Sequence, residues 1–306
     1  MSDKLLRSLP FRMMRWKLGV AGNDAQTERD LEAALVRTVN DTPELDAVAV
    51  LAFDRAYRND GHPDYSNTHL YLSNDYAMEL SRRHEKLLFA ASIHPYRRDA
   101  VKELERCVAG GAVLVKWLPI VQNIDPTDLR CFPFYEALAH LGIPLLSHTG
   151  SEHALPCLNK AVASPSLLSP ALRRGVKVIM AHCGSRLLPW EVDYTPTFMR
   201  MAHDYEHCYG DTAALNVPNR WYAMSAVMAD PVVRSKLVHG SDWPVPVMPS
   251  PSRLGWDLAS SLVFEKNWLR RDVRIKQELG LDDAYWHRAG EVLRLNGSQR
   301  AVAGSR

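Results

Sequence analysis

Seven times in this chain a short apolar run ends on a single polar residue. The runs 47–53 (AVAVLAF), 87–93 (LLFAASI), 112–115 (AVLV), 143–147 (IPLLS), 176–181 (VKVIMA), 207–210 (HCYG) and 237–241 (LVHGS) lead into Asp54, His94, Lys116, His148, His182, Asp211 and Asp242. Apolar runs of about four to eight residues with little alternation suit strands buried on both faces, as in a parallel sheet. Helical patterns lie between them. Residues 99–109 (DAVKELERCVA) set Val101, Leu104 and Val108 on one face and stop at Gly110-Gly111. Residues 132–141 (FPFYEALAHL) stop at Gly142. Glycine just past the last periodic residue ends a helix because it alone enters the left-handed region freely. Strands alternating with helices make βαβ units.

From His94 onward the polar residues advance by 22, 32, 34, 29 and 31 positions. A (β/α)8 barrel of ~250 residues allots roughly 31 per unit. An open doubly wound sheet has units of similar size, but gathers only the strand ends at its switch point. A barrel gathers all of them at one mouth. Seven polar strand ends, three His and three Asp among them, favour an α/β, TIM-like (β/α)8 barrel. The pattern is one strand short. Residues 28–39 (ERDLEAALVRTV) read as a helix, with Leu31, Ala34, Leu35 and Val39 on one face and Thr27 as N-cap. Residues 5–18 are basic and partly amphipathic. The expectation is an incomplete, seven-stranded barrel lacking strand one. Residues 1–45 then form an N-terminal helical segment, 46–297 the barrel domain with a helical insertion at about 250–280, and 298–306 a tail. The open flank of the first strand is expected to be exposed or covered by residues 1–20. Trp256, Leu262, Phe264 and Trp268 give the insertion an apolar face, suited to a lid, an oligomer contact or packing on the barrel's outer surface.

Composition narrows the function. Of 306 residues, 46% are hydrophobic and 24% charged, which supplies a sizeable core and excludes disorder as the main state. A net charge of +2, from 37 basic and 35 acidic residues, gives no global field for nucleic acid. No apolar run approaches the ~18 residues of a membrane span, and the N-terminal residues lack the pattern of a signal peptide. Five scattered cysteines without a CxxC indicate neither a disulfide scaffold nor a zinc ribbon, so a reducing cytoplasm is expected. The expected partner is a small-molecule substrate, with no nucleic acid and no membrane. A homo-oligomer is left open.

The chemistry-bearing segments form a set: His148 in LLSHTGSEH, His182 in VIMAHCGS and Asp242 in VHGSDWP. These resemble the amidohydrolase superfamily, in particular the amidohydrolase-related branch that also holds non-oxidative decarboxylases. The resemblance covers roughly residues 46–297. VIMAHCGS together with HGSDWP is its specific part. It implies a divalent metal in the barrel mouth, Zn²⁺ foremost, held by a His-x-His pair on strand one, a His ending strand five and an Asp after strand eight. Carried onto this chain, His148 and Asp242 become metal ligands, with His182 a third ligand or an acid–base group. Asp242 would also be the general base toward water. Lys116 falls where some members carry a carboxylated lysine bridging two metals. No His-x-His exists in the chain, and its first histidine is His62, after strand two. This agrees with the strand count: either the reading frame extends upstream of Met1 or the lineage has lost the unit.

His and carboxylate are ordinary ligands of a borderline divalent ion, which lowers the pKa of bound water to ~7. The leading expectation is therefore a metal-dependent hydrolase of an ester, lactone or amide. The alternatives are a non-oxidative decarboxylase on the same barrel, and a metal-deficient, non-catalytic barrel acting as a binding protein. Lys116, His94, Glu152 and His153 are the candidate substrate contacts. For each strand-end residue alone, the competing reading is a polar cap on a strand end, and for His94 it is packing; Glu152 and His153 lie one turn beyond His148, at the pocket rim.

Overall fold

The computed structural model describes residues 3–6, 9–20 and 24–295. The expected tail at 298–306 lies outside them. The strands are Val48–Leu51 (β1), Leu87–Ala91 (β2), Leu114–Trp117 (β3), Leu145–His148 (β4), Val178–Ala181 (β5), Cys208–Asp211 (β6) and Leu237–Val238 (β7). All pair in parallel with the next in sequence, in the order β1 to β7. The sheet curls into an incomplete barrel. Among the described residues no ladder joins β7 back to β1.

The helices follow the sequence pattern. A nine-residue helix, Leu9–Lys17, lies near the N-terminus; from residue 24 onward they are α1 (Asp24–Asn40), α2 (Asn74–Arg83), α3 (Ala100–Ala109), α4 (Phe132–Leu141), α5 (Thr195–Asp204), α6 (Trp221–Ala229), α7 (Trp256–Val263), α8 (Trp268–Glu278) and α9 (Asp283–Val292), with shorter helical turns between. Helix α1 begins before the expected Thr27 cap, and α4 ends on Gly142 at φ 68°. No described helix is long and apolar enough to cross a membrane.

The period of two along each strand sorts its side chains. Phe89, Val115, Trp117, Leu145, Val178 and Met180 face the helical layer, where Trp117 stacks on Phe134 with ring centroids 5.5 Å apart. Burying each such side chain contributes about 1.5–3 kcal/mol. The alternate set faces inward. Ala49, Leu88, Ala90, Leu114 and Leu146 meet Leu293 and Leu295, just past α9, and Ile179 and Val238 meet Val292. The barrel is therefore filled below. Lys116 and His148 share the parity of Leu114 and Leu146, so they stand directly above this plug.

The seam between β7 and β1 is closed by side chains. Leu35, Val36 and Val39 of α1, Val48 and Val50 of β1, and Leu269 and Val273 of α8 form one cluster with Trp243 and Trp286. Polar contacts tie the same elements: Asn267 Nδ2 donates to the Thr38 carbonyl at 2.8 Å, and Arg270 to Glu44 at 2.8 Å. Among the described residues, the cover over this flank includes α1 and α8. Residues 250–280 hold helices α7 and α8, after a short turn at Pro251–Leu254. Leu262 is buried against Val247 and Ile275, whereas Trp256 and Phe264 stand in solvent.

Candidate active site

Above the plug, the inward-facing strand ends bring a group of polar side chains close together. His148 ends β4 and is buried. Its Nε2 has no hydrogen-bond partner, and its Nδ1 lies 3.9 Å from the Glu152 carboxylate. His182 follows β5, and its ring stands edge-on to His148 with centroids 5.0 Å apart. Burial holds both imidazoles well below their ordinary pKa; the His182 ring and the Lys116 and Arg220 cations add to the effect at His148, and Arg220 and Lys116 add to it at His182. Both rings are neutral. His182 Nδ1 lies 2.9 Å from the Ala213 carbonyl. A carbonyl accepts only, so Nδ1 carries the proton and Nε2 keeps its lone pair.

His182 sits on a turn of three consecutive left-handed residues, His182, Cys183 and Gly184 at φ 59°, 51° and 70°. A non-glycine residue there costs ~1–2 kcal/mol. The turn is held by Asp211 at the end of β6, whose Oδ1 accepts from the backbone N–H of His182 at 2.7 Å and of Ala213 at 3.1 Å. Asp242 is another left-handed residue, at φ 58°, on the turn after β7, and is more exposed than the other strand-end groups.

Two cations face these groups. Lys116 is buried, and desolvation pulls its pKa down against the pull of Asp211, Asp242 and Glu152. Arg220 precedes α6 and is likewise buried, with Asp242 and Glu152 opposing the desolvation of its guanidinium. One Nη donates to the Ser151 carbonyl at a long 3.4 Å, and Nε has no partner. Arg220 was not among the sequence candidates. A signal existed: it is the lone charged residue in 212–229 (TAALNVPNRWYAMSAVMA). Desolvation also raises the Glu152 carboxyl, against backbone donors at Ala154 and Leu155.

The structure therefore brings Lys116, His148, Glu152, His182 and Asp242 together and adds Arg220 and Asp211. It does not bring in His94 or His153. His94 is fully buried, with Nε2 on the Gln122 carbonyl at 2.9 Å and Nδ1 accepting from the Tyr96 N–H at 3.2 Å. It has no free ring atom for a substrate. His153 turns outward to Glu191 at 2.7 Å.

A profile of the amidohydrolase family matches residues 14–276. The chain belongs to the amidohydrolase family. No curated protein matches it. Among solved structures, it is similar to an uncharacterised TIM-barrel protein from Bordetella bronchiseptica, with 16% identity, 88% of this chain and 90% of the other covered, and a TM-score of 0.55. It is also similar to a probable 2-pyrone-4,6-dicarboxylic acid hydrolase from Acinetobacter baumannii with citric acid bound, at 14% identity, 86% and 89% coverage, and a TM-score of 0.54. At such identities the likeness shows a shared TIM-barrel fold and nothing finer.

The family implies a divalent metal. The lone pair on His182 Nε2 and the unpartnered His148 Nε2 are suitable donors. The set stops there: among the described residues no group of three or more His, Cys, Asp or Glu side chains is arranged to hold an ion. The expected trio of His148, His182 and Asp242 is not such a group, and about three protein ligands are needed. Among the described residues, the donors present do not make up the shell of a resident catalytic metal.

Proposed function

We propose that this amidohydrolase-family chain is a hydrolase of an ester, lactone or amide whose substrate carries a carboxylate. The observation that carries the reading is Arg220: a buried guanidinium with a bare Nε, beside two neutral imidazoles, an ammonium and an exposed carboxylate. A buried charge left without full hydrogen bonding is unfavourable, and a planar carboxylate satisfies a guanidinium with two parallel bonds. The A. baumannii neighbour, described as acting on a dicarboxylic acid, is in keeping with such a substrate.

In this reading Arg220 seats the substrate carboxylate, and the reacting carbonyl lies over His148 and His182. Asp242 takes the proton of the attacking water. The His182 Nε2 lone pair accepts from that water and orients it, since its only N–H is spent on Ala213. The Lys116 ammonium faces the developing oxyanion. The proton held by Asp242 passes to the departing oxygen or nitrogen, which closes the balance.

The test is a panel of carboxylated lactones and aryl esters, each beside its uncharged analogue. Hydrolysis of the acids is expected, with Arg220→Gln lowering kcat/KM by roughly 10–100-fold on the acids alone. Asp242→Asn should lower kcat by about 10²-fold or more throughout. Equal rates for Arg220→Gln and wild type overturn the reading, and so does carbon dioxide release from an aromatic acid without any hydrolysis.

A further inference from the structure

Helix α8 carries a fully buried ion pair, Asp272 and Lys276, one turn apart. Removing two charges from water is unfavourable unless their remaining donors and acceptors are satisfied. Here these are spent on two loops. Lys276 Nζ donates to Asp272 Oδ2 and to the Gly240 carbonyl at 2.7 Å. Asp272 Oδ1 accepts from the Asn216 side-chain amide at 2.8 Å. The Asn216 carbonyl accepts in turn from the Met248 N–H at 2.9 Å and the Trp221 indole at 3.2 Å.

These anchor points are adjacent to the site. Gly240 lies two residues before Asp242, and Asn216 four before Arg220. Gly240 is also pressed against the loop after β6, where a Cβ would come 3.1 Å from Ala213 and 3.3 Å from Asp211. Apolar side chains of similar volume would fill the same space on α8, so packing does not account for the two charges.

We propose that the Asp272–Lys276 pair is a positioning device: from one point on α8 it fixes the two loops that carry Asp242 and Arg220, and so sets the spacing between base and anion seat. The roles of those two residues rest on the function proposed above. The fixing of the loops does not. Asp272 and Lys276 are positioning residues, because they act through the loops.

The experiment compares wild type with Lys276→Met, the double variant Asp272→Leu/Lys276→Met, and Asn216→Ala. Thermal melts, hydrogen exchange by peptide mass spectrometry, and malonate binding by calorimetry are measured, with Arg220→Gln as the binding reference. The single Lys276→Met should be the least stable, because it leaves Asp272 buried and unpaired. The double variant should recover most of that stability. Its peptides covering 212–221 and 237–248 should nevertheless lose about tenfold or more of their protection while those of β2 to β5 keep theirs. Malonate should bind it about fivefold or more weakly. Asn216→Ala keeps the ion pair and should loosen 212–221 alone, which decides the matter if the double variant does not fold. Wild-type protection of both loops in the double variant overturns the proposal, as does an even loss across the whole sheet. Loosened loops in a protein whose wild type binds malonate no better than Arg220→Gln would leave the positioning role standing and remove the anion seat.

Discussion

His94 and His148 both end an apolar run, yet only one keeps a free nitrogen. Strand-end position is legible in sequence, but the hydrogen bonds that spend a ring are made by residues far along the chain, such as Gln122 for His94. The same limit hid Arg220, whose loop has no period to read. His94 also yields a pH prediction. Burial is the largest cause that lowers its pKa to about 3, far below an unfolded histidine. The unfolded chain then binds the proton that the native protein refuses, so stability is complete above ~6.5 and falls as pH drops. His94 alone should remove roughly 2 kcal/mol between pH 6.5 and pH 5, and the buried His148 and His182 add in the same direction. Glu152 and Asp211, whose pKa values burial raises, oppose it over their own range. Urea midpoints from pH 7.5 to 5 measure the slope. His94→Gln should be less stable at pH 7.5 and show a flatter slope; an unchanged slope would count against a neutral buried His94.

At the scale of elements, apolar runs located every strand, because a strand covered on both faces has little freedom in composition. Helix α4 was readable to the residue from Phe132 and Gly142. The turns that set the site were not, since their order comes from side chains reaching between neighbouring strands. Asp54 after β1 accepts from the His94 N–H at 2.9 Å, as Asp211 at the end of β6 accepts from the His182 N–H. Each clamps the turn of an adjacent strand. Between β4 and β5 the backbones themselves touch. Gly150, at φ 85°, lies so close that a Cβ would sit 2.6 Å from the Ser185 carbonyl and 3.1 Å from that of Gly184. Both contacts are backbone atoms of the turn that holds His182, so neither can swing aside. Gly150→Ala is therefore expected to destabilise the fold by about 1–3 kcal/mol, through positive φ and overpacking together. It should also weaken activity beyond what the folded fraction accounts for. A melt matching wild type would show that the crossing has slack.

Over the whole molecule, the missing ladder between β7 and β1 decides where stability resides. In β1 and just past it, the N–H groups of Val48 and Ala52 donate to the carbonyls of Lys86 and Ala90 on the β2 side, at 2.9 Å each. The alternation of a parallel ladder then turns the N–H groups of Ala49 and Leu51 toward the seam. Closure on that side depends on the apolar cluster of α1, α8, Trp243 and Trp286 rather than on backbone pairing. Such a cover is only as strong as its packing. Leu269→Ala removes a buried side chain from its centre and should cost about 2–5 kcal/mol, at the upper part of that span if the seam cannot collapse onto the cavity. Backbone exchange by NMR tests the same point without mutation. Amides of Ala49 and Leu51 should exchange orders of magnitude faster than those of β3 to β5, which are paired on both sides. Leu269→Ala should speed exchange first in β1 and α1, because those elements lose their cover before the doubly paired strands feel it. If Ala49 and Leu51 were instead as protected as Val115 and Ile179, the seam would be sealed by hydrogen bonds and the account of an open barrel held shut by side chains would fail.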